Sequence, residues 1–256
     1  MELLDATVRP GARSRLLSHG RRTPRAVLLL HGYTLGPGQY DDLARDYFER
    51  GYNVWVPRAP FHGTTDPLAH HRVTAASLVA YASQALDVVA GLGEEVTVAG
   101  ISGGAVLAAW LAQNRGDTVR RLLLLSPFFG PSSVPAWAVR PLTFLYGRGL
   151  LPDRITSRGY SLAAVTRYLT IVHRLPDPPR RTRLRSIAVA ISETDGVVDP
   201  VAAVTVPRRI AEACGQRLLT WILPASLGVG HDTLALTGPE AAGLRKRYIE
   251  LSEGRP

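Results

Sequence analysis

The fold is indicated most clearly by residues 96–104, which read Val96-Thr97-Val98-Ala99-Gly100-Ile101-Ser102-Gly103-Gly104. Its first four residues form an apolar, β-branched run that is typical of a buried strand, and residues 105–114 have the composition of a helix. The five residues between them match the pattern G-x-S-x-G. That pattern is weak by itself, but a serine at a strand–turn–helix junction has a strained backbone, and its neighbours must be small. The glycines on both sides of Ser102 meet this requirement, so the segment predicts a nucleophile at a tight turn.

Strand and helix patterns alternate outward from this turn. Short apolar runs predict further buried strands at residues 26–30, 52–56, 122–125, 187–191 and 218–223. Apolar spacing predicts helices at residues 40–48, between Thr74 and Gly91, and at residues 239–251. The alternation predicts an α/β fold in a single domain over residues 1–256, with helices on both faces of a mostly parallel sheet.

The regular alternation stops between about residues 131 and 183. This stretch is rich in proline, glycine and aromatic residues, and it contains helix-like pieces. It is too long to be a plain connection between two strands. We therefore expect a helical insertion there, with aromatic residues such as Trp137 and Phe144 over the site.

Composition excludes several classes of protein. Of 256 residues, 46% are apolar and 20% are charged, which is typical of a globular chain. The single cysteine, Cys214, excludes an intramolecular disulfide and a cysteine-based zinc site. The net charge of +9 comes from scattered arginines, so nucleic-acid binding is not expected. No apolar run appears long enough to span a membrane, and residues 1–5 are not those of a signal peptide, so we expect a cytoplasmic protein.

A serine nucleophile needs a base to take its proton and an acid to orient that base. Of seven histidines, only His231 lies in a glycine-rich loop just after a late strand. Asp195 follows the strand at residues 187–191, and the loops after parallel strands meet at one edge of the sheet. Asp195 is therefore the expected acid. Asp199, which could instead cap the next helix, and Glu193 are the alternatives.

The negative oxygen that forms during acyl transfer needs N–H donors. One expected donor is the N–H of Gly103, which lies next to the nucleophile at a helix N-terminus. The other is the N–H of Tyr33, in the loop that begins His31-Gly32 after the strand at residues 26–30. His31 is expected to order this loop, His62 to be structural, and the pair His70-His71 to lie in an exposed loop and bind no metal.

From about residue 25 to its end the chain resembles the α/β-hydrolase superfamily, in particular the bacterial carboxylesterase and monoacylglycerol-lipase-like branch. The resemblance rests on His31-Gly32, the turn around Ser102, the loop His62-Gly63, and the order serine, aspartate, histidine along the chain. It implies an α/β-hydrolase fold whose insertion caps the active site. Relatives that act on haloalkanes or epoxides have an aspartate at the nucleophile position, where this chain has Ser102.

The expected activity is hydrolysis of a small-molecule carboxylic ester through an acyl-enzyme, with no metal or organic cofactor. Apolar residues of the insertion and of the segment Phe128-Phe129 favour short or medium acyl chains, including those of monoacylglycerol-like esters. Three alternatives stay open: a thioesterase, an amidase with the same three residues, and a ligand sensor without turnover. The oligomeric state is not determined by the sequence.

Overall fold

The fold is built on a seven-stranded sheet, in a computed structural model that describes residues 7–156 and 159–255. The strands are β1 (Arg15–Leu17), β2 (Thr23–Leu30), β3 (Asn53–Val56), β4 (Gly93–Ile101), β5 (Val119–Leu125), β6 (Ser186–Ser192) and β7 (Leu218–Leu223). Their order across the sheet is β1-β3-β2-β4-β5-β6-β7. All neighbouring pairs are parallel except β1 and β3, which are antiparallel. The strand that precedes Ser102 is therefore in the middle of the sheet.

Seven α-helices flank the sheet in the described residues. They are α1 (Asp41–Glu49), α2 (Ala75–Leu92), α3 (Gly103–Asn114), α4 (Ala136–Gly147), α5 (Leu162–Val172), α6 (Pro200–Ala213) and α7 (Pro239–Ser252). Short 3₁₀ helices occupy Pro37–Tyr40, Ala69–Arg72 and Ala225–Leu227. The predicted strands and helices are all present, most of them one to three residues longer than expected.

Both faces of the sheet are buried, which explains the continuous apolar runs in the sequence. In β2, Leu28 and Leu30 pack in a core with α2, α3 and α6, whereas Val27 and Leu29 pack in a second core with α1 and α7. The side chains of a strand point alternately to the two faces, so a strand covered on both sides must be apolar at every position. The prediction of a mostly parallel sheet with helices on both faces is confirmed.

Helix α2 is long and apolar enough, by length and mean hydropathy, to cross a membrane, contrary to the expectation that no segment would be. One side of this helix packs in the core through Leu78, Leu86 and Val89. Thr74 caps its first turn by accepting a hydrogen bond from the N–H of Ser77, as the sequence predicted. A core helix of a folded domain passes the same test of length and hydropathy as a membrane span.

The insertion expected at residues 131–183 contains α4 and α5, which lie between β5 and β6. Helix α5 packs on α2, α3 and α4, and its residues Ala164, Tyr168 and Ile171 belong to the first core. Helix α4 is much more exposed, and Thr143 is its only buried residue. Of the two helices, the inner helix α5 therefore makes more of the contact with the rest of the domain.

Two features were not anticipated from the sequence. The short strand β1 pairs with the edge of β3 and has no clear apolar run of its own. Helix α2 continues through Gly91 to Leu92, and β4 begins at the next residue without a loop. The acidic N-terminal residues 1–5, on which the expected cytoplasmic location depends, lie outside the described residues.

Candidate active site

Ser102 lies at the turn between β4 and α3 with φ 54° and ψ −117°, a conformation that costs a non-glycine residue energy. Its N–H donates to the carbonyl of Leu125, at 2.9 Å, which ties the turn to the neighbouring strand. A Cβ at position 100 would overlap with the backbone of Gly104, and a Cβ at position 104 would overlap with the carbonyl of Leu30. The glycines at 100 and 104 are therefore required by close backbone packing, and small residues were predicted at these positions from the tight turn at Ser102.

The structure brings Ser102, His231 and Asp195 into one hydrogen-bonded chain. His231 Nε2 is 2.9 Å from Ser102 Oγ, and His231 Nδ1 is 2.9 Å from Asp195 Oδ2. Because the carboxylate can only accept, Nδ1 carries the proton, and Nε2 is free to accept the proton of the serine hydroxyl. The three residues follow β4, β7 and β6, so they meet at the edge where the parallel strands end.

The Asp195 carboxylate is held in its ionised form. Its side chain is only 1% exposed, and burial by itself would raise its pKa. The hydrogen bond and charge of His231 and the N–H of Val197 outweigh burial, so the pKa of Asp195 is lowered from its usual value. A carboxylate that stays ionised in a buried place can stabilise positive charge on His231.

The two alternative acids serve other purposes in the structure. Asp199 is the N-cap of α6, where its Oδ1 accepts from the N–H groups of Val201 and Ala202. Glu193 Oε2 accepts from the N–H of Ala225. Of these three acids, only Asp195 bonds to the ring of His231 in the described residues, so the geometry favours Asp195.

The two expected oxyanion donors lie on the same cavity as Ser102. Tyr33 and Gly103 both line it, and Gly103 is the first residue of α3, where the positive end of the helix dipole lies. In the described parts of the chain, neither of their N–H groups is donated to another protein group. Both donors are thus available to an oxygen atom in the cavity.

His31 orders the loop that carries Tyr33, as expected. Its Nδ1 donates to the carbonyl of Gly32, at 2.9 Å, and its Nε2 accepts from the N–H of Ala59, at 3.0 Å. Both ring nitrogens are satisfied in the neutral form, and burial lowers the pKa of His31 to about 4. His31 is therefore a structural residue rather than a base.

The cavity over Ser102 has a volume of about 680 Å³. The insertion lines it with Thr156, Tyr160, Leu162, Val165 and Tyr168, among others. The rest of the domain contributes residues that include Leu35, Ile101, Phe128 and Val197. The expectation that Trp137 and Phe144 lie over the site is wrong: their side chains are 81% and 56% exposed, and neither lines the cavity. Both belong to the outer helix α4, whereas the cavity is covered by the inner helix α5. Phe129 is buried in the core and does not line the cavity either.

A cluster of aromatic rings, three of which line the cavity, was not predicted from the sequence. The ring of Tyr33 packs within 5.1 to 6.1 Å, centroid to centroid, of His62, His70, Tyr160 and Tyr168. His70 is therefore buried, in the 3₁₀ helix Ala69–Arg72, and the expectation of an exposed loop at this residue is wrong. The helical spacing of the apolar residues in α5 is the sequence signal that could have identified Tyr168 as a buried residue of the insertion. Over residues 7–156 and 159–255, no group of three or more histidine, cysteine or acidic side chains is arranged to hold a metal ion.

A serine at a strand–turn–helix junction, hydrogen-bonded to a histidine from the loop after the last strand, is the arrangement found in the α/β-hydrolases. The expected fold class is confirmed. Residues 22–214 match the family model described as serine aminopeptidase, S33, and the chain belongs to this family of hydrolases.

A curated relative indicates the branch of the superfamily. The chain is 30% identical over 143 residues to a thermostable monoacylglycerol lipase of Bacillus sp. (strain H-257). The aligned segment covers 54% of this chain and 52% of that protein, so it spans about half the length of the relative. With the family match, this similarity confirms the expected monoacylglycerol-lipase-like branch.

Solved structures agree with this assignment of the fold. A metagenome-derived lipolytic enzyme from a study of LipS and LipT superposes with a TM-score of 0.70 at 20% identity, over 97% of this chain and 100% of the other. The monoacylglycerol lipase of Paleococcus ferrophilus superposes with a TM-score of 0.71 at 15% identity, over 94% of this chain and 98% of the other. A soluble variant of monoglyceride lipase from Saccharomyces cerevisiae, in complex with a substrate analogue, superposes with a TM-score of 0.69 at 11% identity. The superposition covers 95% of this chain and 92% of the other. At these identities the likeness establishes the fold alone.

Proposed function

We propose that the protein is a serine esterase that hydrolyses small carboxylic esters through an acyl-enzyme. The observation that supports this most directly is the hydrogen-bonded chain from Asp195 through His231 to Ser102, which ends in a largely apolar cavity. A serine hydroxyl paired with an imidazole of the right tautomer can attack a carbonyl carbon.

The first half of the reaction forms the acyl-enzyme. Ser102 Oγ bonds to the carbonyl carbon of the ester while its proton passes to His231 Nε2. The carbonyl oxygen becomes negative and accepts hydrogen bonds from the N–H groups of Tyr33 and Gly103, each worth about 3 to 4 kcal/mol of transition-state stabilisation. His231 then gives the proton to the leaving alcohol as the ester bond breaks.

The second half releases the acid. A water molecule gives a proton to His231 Nε2 and bonds to the acyl carbon, and the same proton returns to Ser102 Oγ as the carboxylic acid leaves. Asp195 remains ionised throughout and stabilises the imidazolium in both halves. The cycle needs no metal and no organic cofactor.

The lining of the cavity favours an acyl chain over a charged substrate. Leu162 and Val165 of the insertion and Phe128 of the core provide apolar surface, and Asp232 is the only carboxylate among the lining residues described. A short or medium acyl chain fits such a surface, and the curated relative is named a monoacylglycerol lipase. We therefore propose monoacylglycerols and related esters as the substrate class.

The description of the matched family supplies a second candidate, the hydrolysis of an amide next to a free amino group. Such a substrate carries an ammonium ion that needs a carboxylate in the site. Asp232 is the residue available for this, but its Oδ1 already accepts hydrogen bonds from Gln39 and from the N–H of Leu234. These bonds leave the second oxygen of the carboxylate as an acceptor. The ester is the better-supported substrate because Leu162, Val165 and Phe128 give the cavity an apolar lining and the curated relative is named a monoacylglycerol lipase.

Turnover on matched substrates tests the proposal. Wild type and Ser102→Ala would be compared on p-nitrophenyl esters of two to twelve carbons, 1-monoacylglycerols, a thioester and amino-acid p-nitroanilides. We expect ester turnover by wild type, a loss of at least about 10³-fold in the variant, and fluorophosphonate labelling of wild type alone. Equal labelling of both proteins would contradict the role of Ser102. Tight ester binding without turnover would favour a ligand sensor. Preferential cleavage of the thioester would favour a thioesterase, and preferential cleavage of the anilides would favour an amidase.

Cytoplasmic location and the absence of a nucleic-acid partner stay predictions from composition. Several arginines are paired with carboxylates, as in Arg25 with Glu253, Arg115 with Asp87 and Arg245 with Asp46. The net charge of +9 already counts these carboxylates, so the prediction about nucleic acid rests on the scatter of the arginines along the sequence.

A further inference from the structure

The side chain of Gln39 bridges two loops of the proposed active site. Gln39 lies in the 3₁₀ helix Pro37–Tyr40, and its Oε1 accepts from the N–H of Gly32, at 2.9 Å. Its Nε2 donates to Oδ1 of Asp232, at 3.1 Å. Gly32 precedes Tyr33, and Asp232 follows His231. One amide therefore connects the loop of a proposed oxyanion donor to the loop of the proposed base.

The sheet does not hold these two loops together. They follow β2 and β7, which are separated by three strands, so the strand ends are about 19 Å apart at the usual strand spacing. Within the described chain, no hydrogen bond joins residues 31–36 directly to residues 228–234. The Gln39 side chain spans the distance that remains between the loops once both have folded over Ser102.

The hydrogen-bonding groups on either side determine the orientation of the amide. The N–H of Gly32 can only donate, so it must face Oε1. Asp232 Oδ1 also accepts from the N–H of Leu234, at 3.1 Å, so it is an acceptor and must face Nε2. A neutral side chain with one acceptor and one donor at this length is a glutamine. A carboxylate at the same position would face the carboxylate of Asp232.

The bridge lies next to the nucleophile. A Cβ built at Gly32 would be 3.6 Å from Gln39 Oε1 and 3.7 Å from Ser102 Cβ, so the Gly32 backbone is held between these two side chains. Because the N–H of Gly32 is bound by Gln39, the next N–H along the chain, that of Tyr33, is the one left for the cavity. A shift of this loop would displace that donor relative to Ser102.

We propose that Gln39 is a positioning residue that holds the loops of Tyr33 and His231 in register across Ser102. The inference rests on the proposed function and names a residue for which neither the motif nor the family resemblance gave a role. Loosening the bridge displaces groups that act on the transition state. It therefore lowers kcat more than it raises KM.

A double-mutant cycle tests the bridge. In Gln39→Glu, the new carboxylate still accepts from the N–H of Gly32 but repels Asp232, and kcat should fall about 10- to 100-fold at nearly constant KM. In the double variant Gln39→Glu/Asp232→Asn, Nδ2 of the new amide can take the place of Oδ1 and donate to the new carboxylate, at the loss of the hydrogen bond that the N–H of Leu234 makes to the same atom in wild type. We therefore expect partial rescue, with kcat of the double variant at least about threefold above that of Gln39→Glu.

Two controls accompany the cycle. Gln39→Met keeps the volume and removes both hydrogen bonds, so its kcat should fall and should not be restored by Asp232→Asn. Gln84→Glu makes the same chemical change on the exposed side of α2 and should leave kcat unchanged. Wild-type kcat in both Gln39 variants, or a double variant no better than Gln39→Glu, would overturn the proposal.

Amide hydrogen exchange separates this inference from the proposed function. It would be measured over residues 31–36 and 228–234 in the same variants and does not depend on turnover. If wild type shows no ester turnover, only the proposed esterase activity is contradicted. Faster exchange in both loops of Gln39→Glu, reversed in the double variant, would still support the bridge in that case. Unchanged exchange in both loops would overturn the bridge whatever the activity.

Discussion

The ring of Tyr168 in α5 packs directly against the Cα of Gly103: a Cβ built at position 103 would lie 2.7 Å from Tyr168 Cε1. The same ring is 5.7 Å, centroid to centroid, from that of Tyr33. The insertion thus contacts both residues whose N–H groups are proposed to hold the oxyanion. From the sequence we expected an insertion that sets chain-length preference and leaves the chemistry alone. Because of this contact, we expect Tyr168 to affect both.

Gly103→Ala is expected to lower kcat markedly, since the added methyl group must displace either the Tyr168 ring or the start of α3. Tyr168→Ala in the same chain makes room for the methyl group and should restore part of the loss. Gly243→Ala in α7 is the matched control, because a Cβ there meets nothing within 4 Å. Steady-state kinetics on one ester would measure all four proteins. If the double variant were slower than Gly103→Ala, the contact between position 103 and Tyr168 would not be the cause of the lower kcat.

Asp195→Asn is expected to lower kcat by about 10⁴-fold, because an amide cannot stabilise the imidazolium and favours the wrong tautomer of His231. Asp199→Ala removes the cap of α6 and should instead reduce the free energy of unfolding by about 1 kcal/mol, with kcat nearly unchanged. Kinetics and urea denaturation of both variants separate the two roles. The opposite ranking would transfer the acid role to Asp199.

Val165→Phe is expected to shorten the preferred acyl chain. Val165 lies on α5 and lines the cavity, so the larger phenylalanine side chain would reduce the volume of the cavity. kcat/KM on p-nitrophenyl esters should fall more for ten-carbon than for four-carbon chains. Trp137→Ala is the control, because the side chain of Trp137 is 81% exposed on α4. An equal fall for all chain lengths in Val165→Phe would contradict the placement of the acyl chain beside α5.

Acid should destabilise the fold through buried histidines. Burial lowers the pKa of His31 to about 4, and burial together with His31 lowers that of His62 to about 3. Both groups have a pKa near 6.5 in the unfolded chain, which therefore binds more protons than the folded chain at mildly acid pH. The stability that these histidines contribute is fully present above about pH 6.5. It is lost as the pH falls, by up to about 1.4 kcal/mol per pH unit for each residue.

Urea denaturation at pH 7.5, 5.5 and 4.5 would measure this loss. His62→Asn is the comparison, because its amide can replace the 2.8 Å hydrogen bond from His62 Nδ1 to the carbonyl of Pro60 but takes up no proton. The free energy of unfolding of the variant should fall less steeply with decreasing pH than that of wild type. Parallel curves would show that protonation of His62 does not contribute.

The features that depend on local constraints could be predicted from the sequence. Continuous apolar runs predicted strands buried on both faces, and the glycines at 100 and 104 predicted a turn that presents Ser102. Ser102, Asp195 and His231 each follow a predicted strand, which placed them at one edge of the sheet, since parallel strands end together. Each of these inferences needs only the period of a strand or helix, or the size of a side chain.

Tertiary structure alone decided what depends on packing between distant segments. Asp195 and Asp199 follow the same strand, and only the direction of the backbone after β6 gives one to His231 and the other to α6. Aromatic content suggested Trp137 and Phe144 as the cover of the site, but the inner position of α5 places Tyr168 there instead. Gln39 connects two loops that follow β2 and β7, which are separated by three strands in the sheet. No local pattern encodes such a contact, because its geometry exists only when the whole sheet has assembled.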